Sequence, residues 1–480
     1  MNRGCASRCL AIALALLVLV LPAAARAFSI EDERKLGKEF YERMEKSGVL
    51  VKDPAVTRYV HALGMKVLAK FPPTPFAFRF SVINSSAINA FATPGGYVYV
   101  NRGLITTVES ESQLASVLSH EIAHVQARHI AQLIERSKKI NIATLAAILA
   151  GAFLGGGGDL GAAAMSFSLA GAATMSLKYS REHEEEADRL GLMALMASGY
   201  DGNAAVEFLR LMRRYEFYSN MVPSYFLTHP GTEQRIAYLD TMLAMKHPSP
   251  PTTTYVGNLK RVQTILLLAG EEPQANLKRF QENSQKTPDD VDDLYGLAVT
   301  QEKLGLTAEA QATFRRALAK APDDPILLRD LGISYFRAGR LESAIPCLAR
   351  AYQLASEDET TALYLGRAYQ AVGNYAAALE PLRRALKANS EDAELRYALA
   401  MTYGGMGEAA ESHYHFGMYF KQKHNRSMAL YHLEEALKAL PAGSGRASEV
   451  AKEIEALKAP PHSLSEPQTP AGRTHAKALS

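Results

Sequence analysis

Three things are scarce in this chain. Cysteine occurs three times in 480 residues, at Cys5, Cys9 and Cys347. The first two fall in a leader-like stretch, so a mature chain keeps Cys347 alone and forms no intrachain disulfide, even in an oxidising compartment. Charge of one sign is also scarce: 53 Lys and Arg against 50 Asp and Glu leave a formal +3. That is too little to argue for nucleic acid, and no basic stripe with interleaved aromatics is present. Long apolar runs are the third absence. Residues 140–154 and the small-residue run ending near Leu177 are each short for a membrane-spanning helix, and the glycines at 155–158 break them apart.

What is there begins with a leader. Residues 1–27 read as a cleaved secretory signal, with Arg3 and Arg8 in front, an apolar core over 9–21 and a small-x-small site at Ala25-Arg26-Ala27. No cysteine follows the apolar core, so a lipoprotein anchor is not read. An uncleaved N-terminal anchor is the rival reading, and the shortness of the core argues against it. The length leaves room for two or three domains.

The densest chemistry lies in His120-Glu121-Ile122-Ala123-His124. Around it Leu114, Val117, Leu118, Ile122 and Val125 recur at spacings of three and four, which is helical. Positions i and i+4 share one face of a helix, so His120 and His124 can aim two imidazoles at one point. Zinc takes such nitrogen donors, and a catalytic site keeps one position open for water. Glu121 can reach that water without being a ligand. A third donor is needed, and Ser180-Arg-Glu-His-Glu184-Glu-Glu-Ala-Asp188 supplies candidates. Glu184 and Asp188 are again i and i+4: one carboxylate can bind metal while the other hydrogen-bonds a ligand histidine.

HEIAH followed about sixty residues later by SREHEEEAD resembles the HtpX-like and CAAX-prenyl-protease-like zinc metallopeptidases. The likeness runs upstream to Asn89-Ala-Phe-Ala-Thr-Pro-Gly-Gly-Tyr-Val-Tyr-Val-Asn-Arg-Gly-Leu104 and downstream to Thr228-His229-Pro230 and Arg235, covering roughly residues 30–245. It implies one Zn²⁺ held by His120, His124 and Glu184, with Asp188 behind them and Glu121 as general base. It also implies that the strand over 96–101 binds substrate backbone as an added strand, where pattern alone allows a plain sheet edge. His229 precedes proline and is expected in an extended or turn conformation. It is a candidate to latch the metal or to steady the tetrahedral intermediate, and Arg235 is a candidate cation for the same oxyanion.

The rest of the chain frames these residues. Helices are expected over 31–46 and 54–70, a strand over 76–83, and helices over 187–198 and 202–213. Two readings stand for 140–177: a hairpin or flap over the cleft in peripheral contact with membrane, or a small-residue helix pair in the core. A Pro- and Thr-rich linker spans 248–256. Beyond it the period is 34, the tetratricopeptide length. Ala298, Gly332 and Gly366 share one position, and Ala310, Ala344 and Ala378 another. After Asp392 the register breaks, with one helix over 393–407, and resumes from Ala410.

The fold class expected is mainly α: an N-terminal α+β zincin-type metallopeptidase domain with a small sheet, then a C-terminal α-solenoid of tetratricopeptide repeats. Boundaries are placed at 28–247 for the peptidase, 257–442 for the repeats and 443–480 for a C-terminal segment with a disordered tail. Repeats of this kind offer concave surfaces to protein segments. Export and the resemblance together imply a periplasmic endopeptidase acting on unfolded or misassembled envelope proteins, with contact to the outer-membrane assembly machinery. The alternative is a chaperone or assembly scaffold whose proteolysis is secondary.

Overall fold

The computed structural model describes residues 28–136, 179–219, 222–246 and 255–459. The expectations for the leader, for 140–177, for most of the linker and for the tail from 460 lie outside the described residues. The chain separates into two compact units, Met1–Leu304 and Gly305–Ser480.

The first unit is built on a three-stranded sheet. Helix α1, Ile30–Lys46, starts at Ser29, whose hydroxyl and the Asp32 carboxylate cap each other's backbone N–H. Its Leu36, Phe40 and Met44 pack with Ile83, Phe91 and Tyr99 on one sheet face. The other face carries Phe80, Val82, Val98 and Val100, and meets helices α2, Pro54–Leu68, and α4, Glu111–Gln126. Strands β1, Arg79–Ile83, β2, Ala90–Thr93, and β3, Tyr97–Asn101, lie in the order β1-β3-β2. β1 runs parallel to β3, and β2 antiparallel.

This order corrects one expectation. The strand at 97–101 is central and its backbone groups are taken on both sides, so it cannot accept a substrate strand. The edges are β1, bridged at Ile83 by Leu50, and β2, which the sequence hides. Four residues are too few to show alternation, and all four are buried. Gly95 and Gly96, at φ +86 and +97, make the turn that folds β2 back on β3.

After the short helix α3, Arg102–Thr107, comes α4, which carries His120-Glu121-x-x-His124. Ser110 caps it by accepting from Gln113 N. Every residue from Glu111 to Val125 is buried, so the apolar stripe read from sequence is only one face of a helix enclosed on all sides. Helices α5, His129–Arg136, α6, Arg181–Ala197, α7, Asn203–Ser219, α8, Ser224–Thr228, and α9, Thr232–Lys246, follow.

Helices α10, Leu259–Gly270, α11, Pro273–Lys286, and α12, Val291–Lys303, complete this unit. Sequence periodicity assigns them to the repeats, yet Val262 and Leu266 of α10 are in the same core as α2 and α4. Buried Glu111, in the first turn of α4, accepts from Tyr59 Oη at 3.0 Å, Tyr200 Oη at 2.8 Å and Val256 N at 2.8 Å. Gln263 donates to the carbonyls of Ile105 and Val108.

The second unit is a helical solenoid of tetratricopeptide hairpins. It runs through α13, Thr307–Lys320, α14, Pro325–Arg337, α15, Leu341–Leu354, α16, Glu359–Ala371, and α17, Tyr375–Ala388. Gly332 and Gly366 sit where a Cβ would fall 2.7 Å from Leu348 and 2.6 Å from Leu382, which lets paired helices close up. Helices α18, Ala393–Gly405, and α19, Ala409–Gln422, turn through Gly407 at φ +81, as α16 and α17 do through Gly373 at φ +76. Helix α19 then turns into α20, Arg426–Ala439, through His424 at φ +57, half a repeat later. One helix therefore closes one hairpin and opens the next, which is the physical form of the register break after Asp392. Helix α21, Gly445–Lys458, lays Val450 and Ile454 on Tyr414, Leu433 and Ala436.

These contacts predict where the chain can be cut. A fragment of residues 28–304 should melt in one cooperative transition. A fragment ended at residue 246 loses the burial of Val262 and Leu266, about 1.5–3 kcal/mol each, and should melt measurably lower by calorimetry. Equal melting temperatures would show that α10 to α12 do not belong to this unit.

Candidate metal centre

Four elements bring the seven residues singled out in sequence to one place. α4 supplies His120, Glu121 and His124, and α6 supplies Glu184 and Asp188. The turn after α8 supplies His229, and the first turns of α9 supply Arg235. The crossing of α4 and α6 is set by Gly191: a Cβ there would stand 3.1 Å from His120 N and 3.2 Å from its Cα. So close an approach places the carboxylates of the preceding two turns beside the imidazoles. The short helix α8 is anchored by Tyr225 N and Ser224 Oγ, which both donate to the Ile88 carbonyl ahead of β2. His229 leaves it at φ −118 and ψ +85, the non-helical conformation its following proline requires.

The donor atoms converge. His120 Nε2 and His124 Nε2 are 2.9 Å apart. Glu184 Oε2 lies 3.4 Å from His120 Nε2, and Glu184 Oε1 lies 3.5 Å from His124 Nε2. His229 Nδ1 is 3.3 Å from His120 Nε2 and 3.0 Å from Glu184 Oε1. One donor atom from each of these four residues falls within 4.8 Å of all the others. None of the seven side chains belongs to a residue more than 7% exposed.

Outer contacts fix these groups. His120 Nδ1 lies 2.8 Å from Asp188 Oδ1. Arg235 donates from Nε to Asp188 Oδ2 and from Nη2 to Oδ1, both at 2.7 Å, while its Nη1 lies 2.8 Å from Glu184 Oε2. Tyr238 donates its hydroxyl to Asp188 as well. Tyr225 stacks on His229 with ring centroids 4.4 Å apart, and Tyr179 stacks on His124 at 3.9 Å. Glu121 is fully buried, and among the described residues neither carboxylate oxygen has a hydrogen-bond partner; His229 Nε2 is 3.5 Å from Oε1.

The electrostatics follow from burial. Burial raises the Glu121 carboxyl above the usual range. Burial also works against ionised Glu184 and Asp188, but their neighbours outweigh it. His229 and Arg235, with hydrogen bonds from His120 and His124, hold Glu184 well below the carboxylate range. Arg235 and His120 do the same for Asp188. Burial and Arg235 push His120 down, yet Asp188 and the hydrogen bond with Glu184 together lift it to about 9. Burial pushes His124 well below its ordinary value.

A divalent cation fits this donor set. Three buried carboxylates face one guanidinium, so neutral imidazoles leave two negative charges unbalanced. The Asp188 carboxylate can only accept, so His120 donates from Nδ1 and presents its Nε2 lone pair to the cluster. Two imidazole lone pairs and a carboxylate pointed at one spot repel unless a cation lies among them.

Among the contributors missed in the sequence, besides Tyr225 on His229, three differ in how legible they were. Tyr238 is three residues after Arg235, on the same helical face, and that spacing could have disclosed it. Tyr179 immediately precedes the SREHEEEAD motif and carries no signal of its own. His129 Nδ1 stands 2.9 Å from His124 Nδ1, but a spacing of five is not a helical neighbour relation and nothing in the sequence announces it.

Residues 52–243 match the model of peptidase family M48, and residues 295–359 and 363–411 match a tetratricopeptide repeat model. A putative beta-barrel assembly-enhancing protease of Vibrio cholerae is 33% identical over 266 residues, 55% of this chain and 54% of that protein. The beta-barrel assembly-enhancing protease of Escherichia coli K12 is 35% identical over 215 residues, 45% of this chain and 44% of its own. The mitochondrial metalloendopeptidase OMA1 of Schizosaccharomyces pombe is 30% identical over 218 residues, 45% of this chain and 62% of its own. The chain spans about half the length of the two bacterial relatives.

Arg235 is the testable keystone of this site. Replacing it with Met leaves Asp188 and Glu184 buried without their cation, which should cost roughly 3–5 kcal/mol in denaturant unfolding. Arg235→Lys should recover little, because an ammonium cannot span both Asp188 oxygens and Glu184 at once. Wild-type stability in Arg235→Met would show that these carboxylates are balanced by something else.

Proposed function

We propose that this chain, whose residues 52–243 form a peptidase family M48 domain and whose residues 295–359 and 363–411 form tetratricopeptide repeats, is a zinc metalloendopeptidase of the bacterial periplasm. Its substrates are misfolded or stalled envelope proteins, held by the repeats while the first unit cuts them. The observation that carries the reading is the convergence of His120, His124 and Glu184 beside a buried carboxylate, Glu121, that has no hydrogen-bond partner. The bacterial relatives named as beta-barrel assembly-enhancing proteases, and a leader-like stretch over 1–27, support the compartment and the client class.

His120, His124 and Glu184 would hold the metal. Zinc bound there supplies a Lewis acid that acidifies water and polarises the scissile carbonyl. The remaining chemistry belongs to the chain. Glu121 takes a proton from the attacking water and passes it to the leaving amine. Its freedom from other partners and its raised pKa suit both halves of that task. Asp188 holds the Nδ1 proton of His120, so Nε2 stays available. Arg235 is spent on Asp188 and Glu184, which supports a scaffolding role for it over direct contact with an oxyanion. His229, whose Nδ1 lies 3.3 Å from His120 Nε2 and 3.0 Å from Glu184 Oε1, is the better candidate to latch the metal or steady developing charge. Among the described residues β2 pairs on one side only; that edge, buried with the rest of the strand, is where an extended peptide would add.

A second reading is favoured by the burial of every one of these side chains. A site this enclosed fits an assembly scaffold with latent proteolysis. One pair of measurements separates the two. Glu121→Gln should keep zinc and lose about 100- to 10,000-fold in turnover on unfolded casein, and it should abolish the cellular phenotype of the gene. Unchanged casein cleavage would overturn the proton-transfer role. A phenotype fully preserved by the inactive variant would favour the scaffold.

A further inference from the structure

We propose that His129 is a positioning residue for the metal site, the middle member of a chain of hydrogen bonds that runs from His124 to Glu186 at the surface. This rests on the zinc reading above. A histidine that binds metal through one ring nitrogen ordinarily gives its other N–H to a carboxylate, a carbonyl or water, which fixes the ring and its tautomer. His120 has such a partner in Asp188. His124 does not: its Nδ1 faces a second imidazole, His129 Nδ1, at 2.9 Å. Two facing ring nitrogens share one proton, so the protonation pattern is determined. With His124 Nε2 turned to the metal, its Nδ1–H donates to His129 Nδ1. His129 must then carry its own proton on Nε2, and that atom lies 3.2 Å from Glu186 Oε2. Each donor meets one acceptor from the centre to the carboxylate.

Two further observations show that the arrangement is built. His129 follows Arg128, which takes the left-handed conformation at φ +54, a region that side-chain-bearing residues adopt rarely. That turn swings His129 back onto the helix it has just left. It is held by Arg128 Nε to buried Glu33 at 2.6 Å and by Arg128 Nη2 to the Phe28 carbonyl at 2.8 Å. The His129 ring is also stacked on His183 of α6, centroids 4.4 Å apart and planes 19° from parallel. His129 is itself fully buried, while the Glu186 side chain is about half exposed at 47%.

The test is equilibrium zinc affinity of the full chain, by competition with a chromophoric chelator, with helix content followed by circular dichroism. Wild type should bind one zinc. His129→Phe keeps ring volume and stacking but accepts no hydrogen bond, and should weaken zinc about 10- to 100-fold at unchanged helix content. His129→Gln, whose carbonyl can accept from His124 and whose amide can donate to Glu186, should recover most of that loss. Glu186→Ala alters only the half-exposed end and keeps the test alive if the phenylalanine variant does not fold. It should weaken zinc by a factor near the lower end of that range. Wild-type affinity in His129→Phe or in Glu186→Ala, or a His129→Gln as weak as His129→Phe, overturns the proposal. A wild-type chain that binds no zinc overturns the metal reading itself, and this one with it.

Discussion

Buried negative charge is the constraint on which the first unit depends. Glu121, Glu184 and Asp188 are enclosed in protein, and among the described residues Arg235 is the single buried guanidinium beside them. Ionised carboxylates without partners are too costly to bury, so the excess must be met by protons or by metal. Both solutions use the same atoms. In the free site His120 takes a second proton, being lifted to about 9, and burial favours the neutral form of Glu121. A divalent cation would replace those protons and restore the lone pairs and the free carboxylate that the proposed hydrolysis requires. The fold around the site arranges this competition: Gly191 sets the helix crossing, the His-Pro turn delivers His229, and the first turns of α9 deliver Arg235.

Much of this was legible because it is local. Spacings of four put His120 with His124 and Glu184 with Asp188 on common helix faces, and proline after His229 excluded helix there. Glycine and alanine at a period of 34 disclosed the paired helices of the repeats. What escaped depends on tertiary placement. β2 is a strand because the turn at Gly95 and Gly96 folds it onto β3, not because its four residues alternate. His129 reaches His124 only through a left-handed Arg128. Helix α10 falls within the span assigned to the repeats yet buries Val262 and Leu266 in the core of the first unit, and no pattern along the chain reveals which neighbour a helix will choose.

The solenoid makes the same point in reverse. Its turns want a residue at positive φ, and glycine provides it at Gly339, Gly373 and Gly407. At His424 the chain makes that turn without glycine, half a repeat early. Helix α19 therefore serves two hairpins. Sequence showed the broken register; the shared helix shows how the stack continues through it.

A zinc-edge anomalous difference map from a crystal of the full chain, grown without added metal, bears most directly on the cluster. One strong peak within bonding distance of His120 Nε2, His124 Nε2 and a Glu184 oxygen is the predicted result. A well-ordered cluster with no anomalous peak, and with His120 and Glu184 joined directly by a proton, would contradict it.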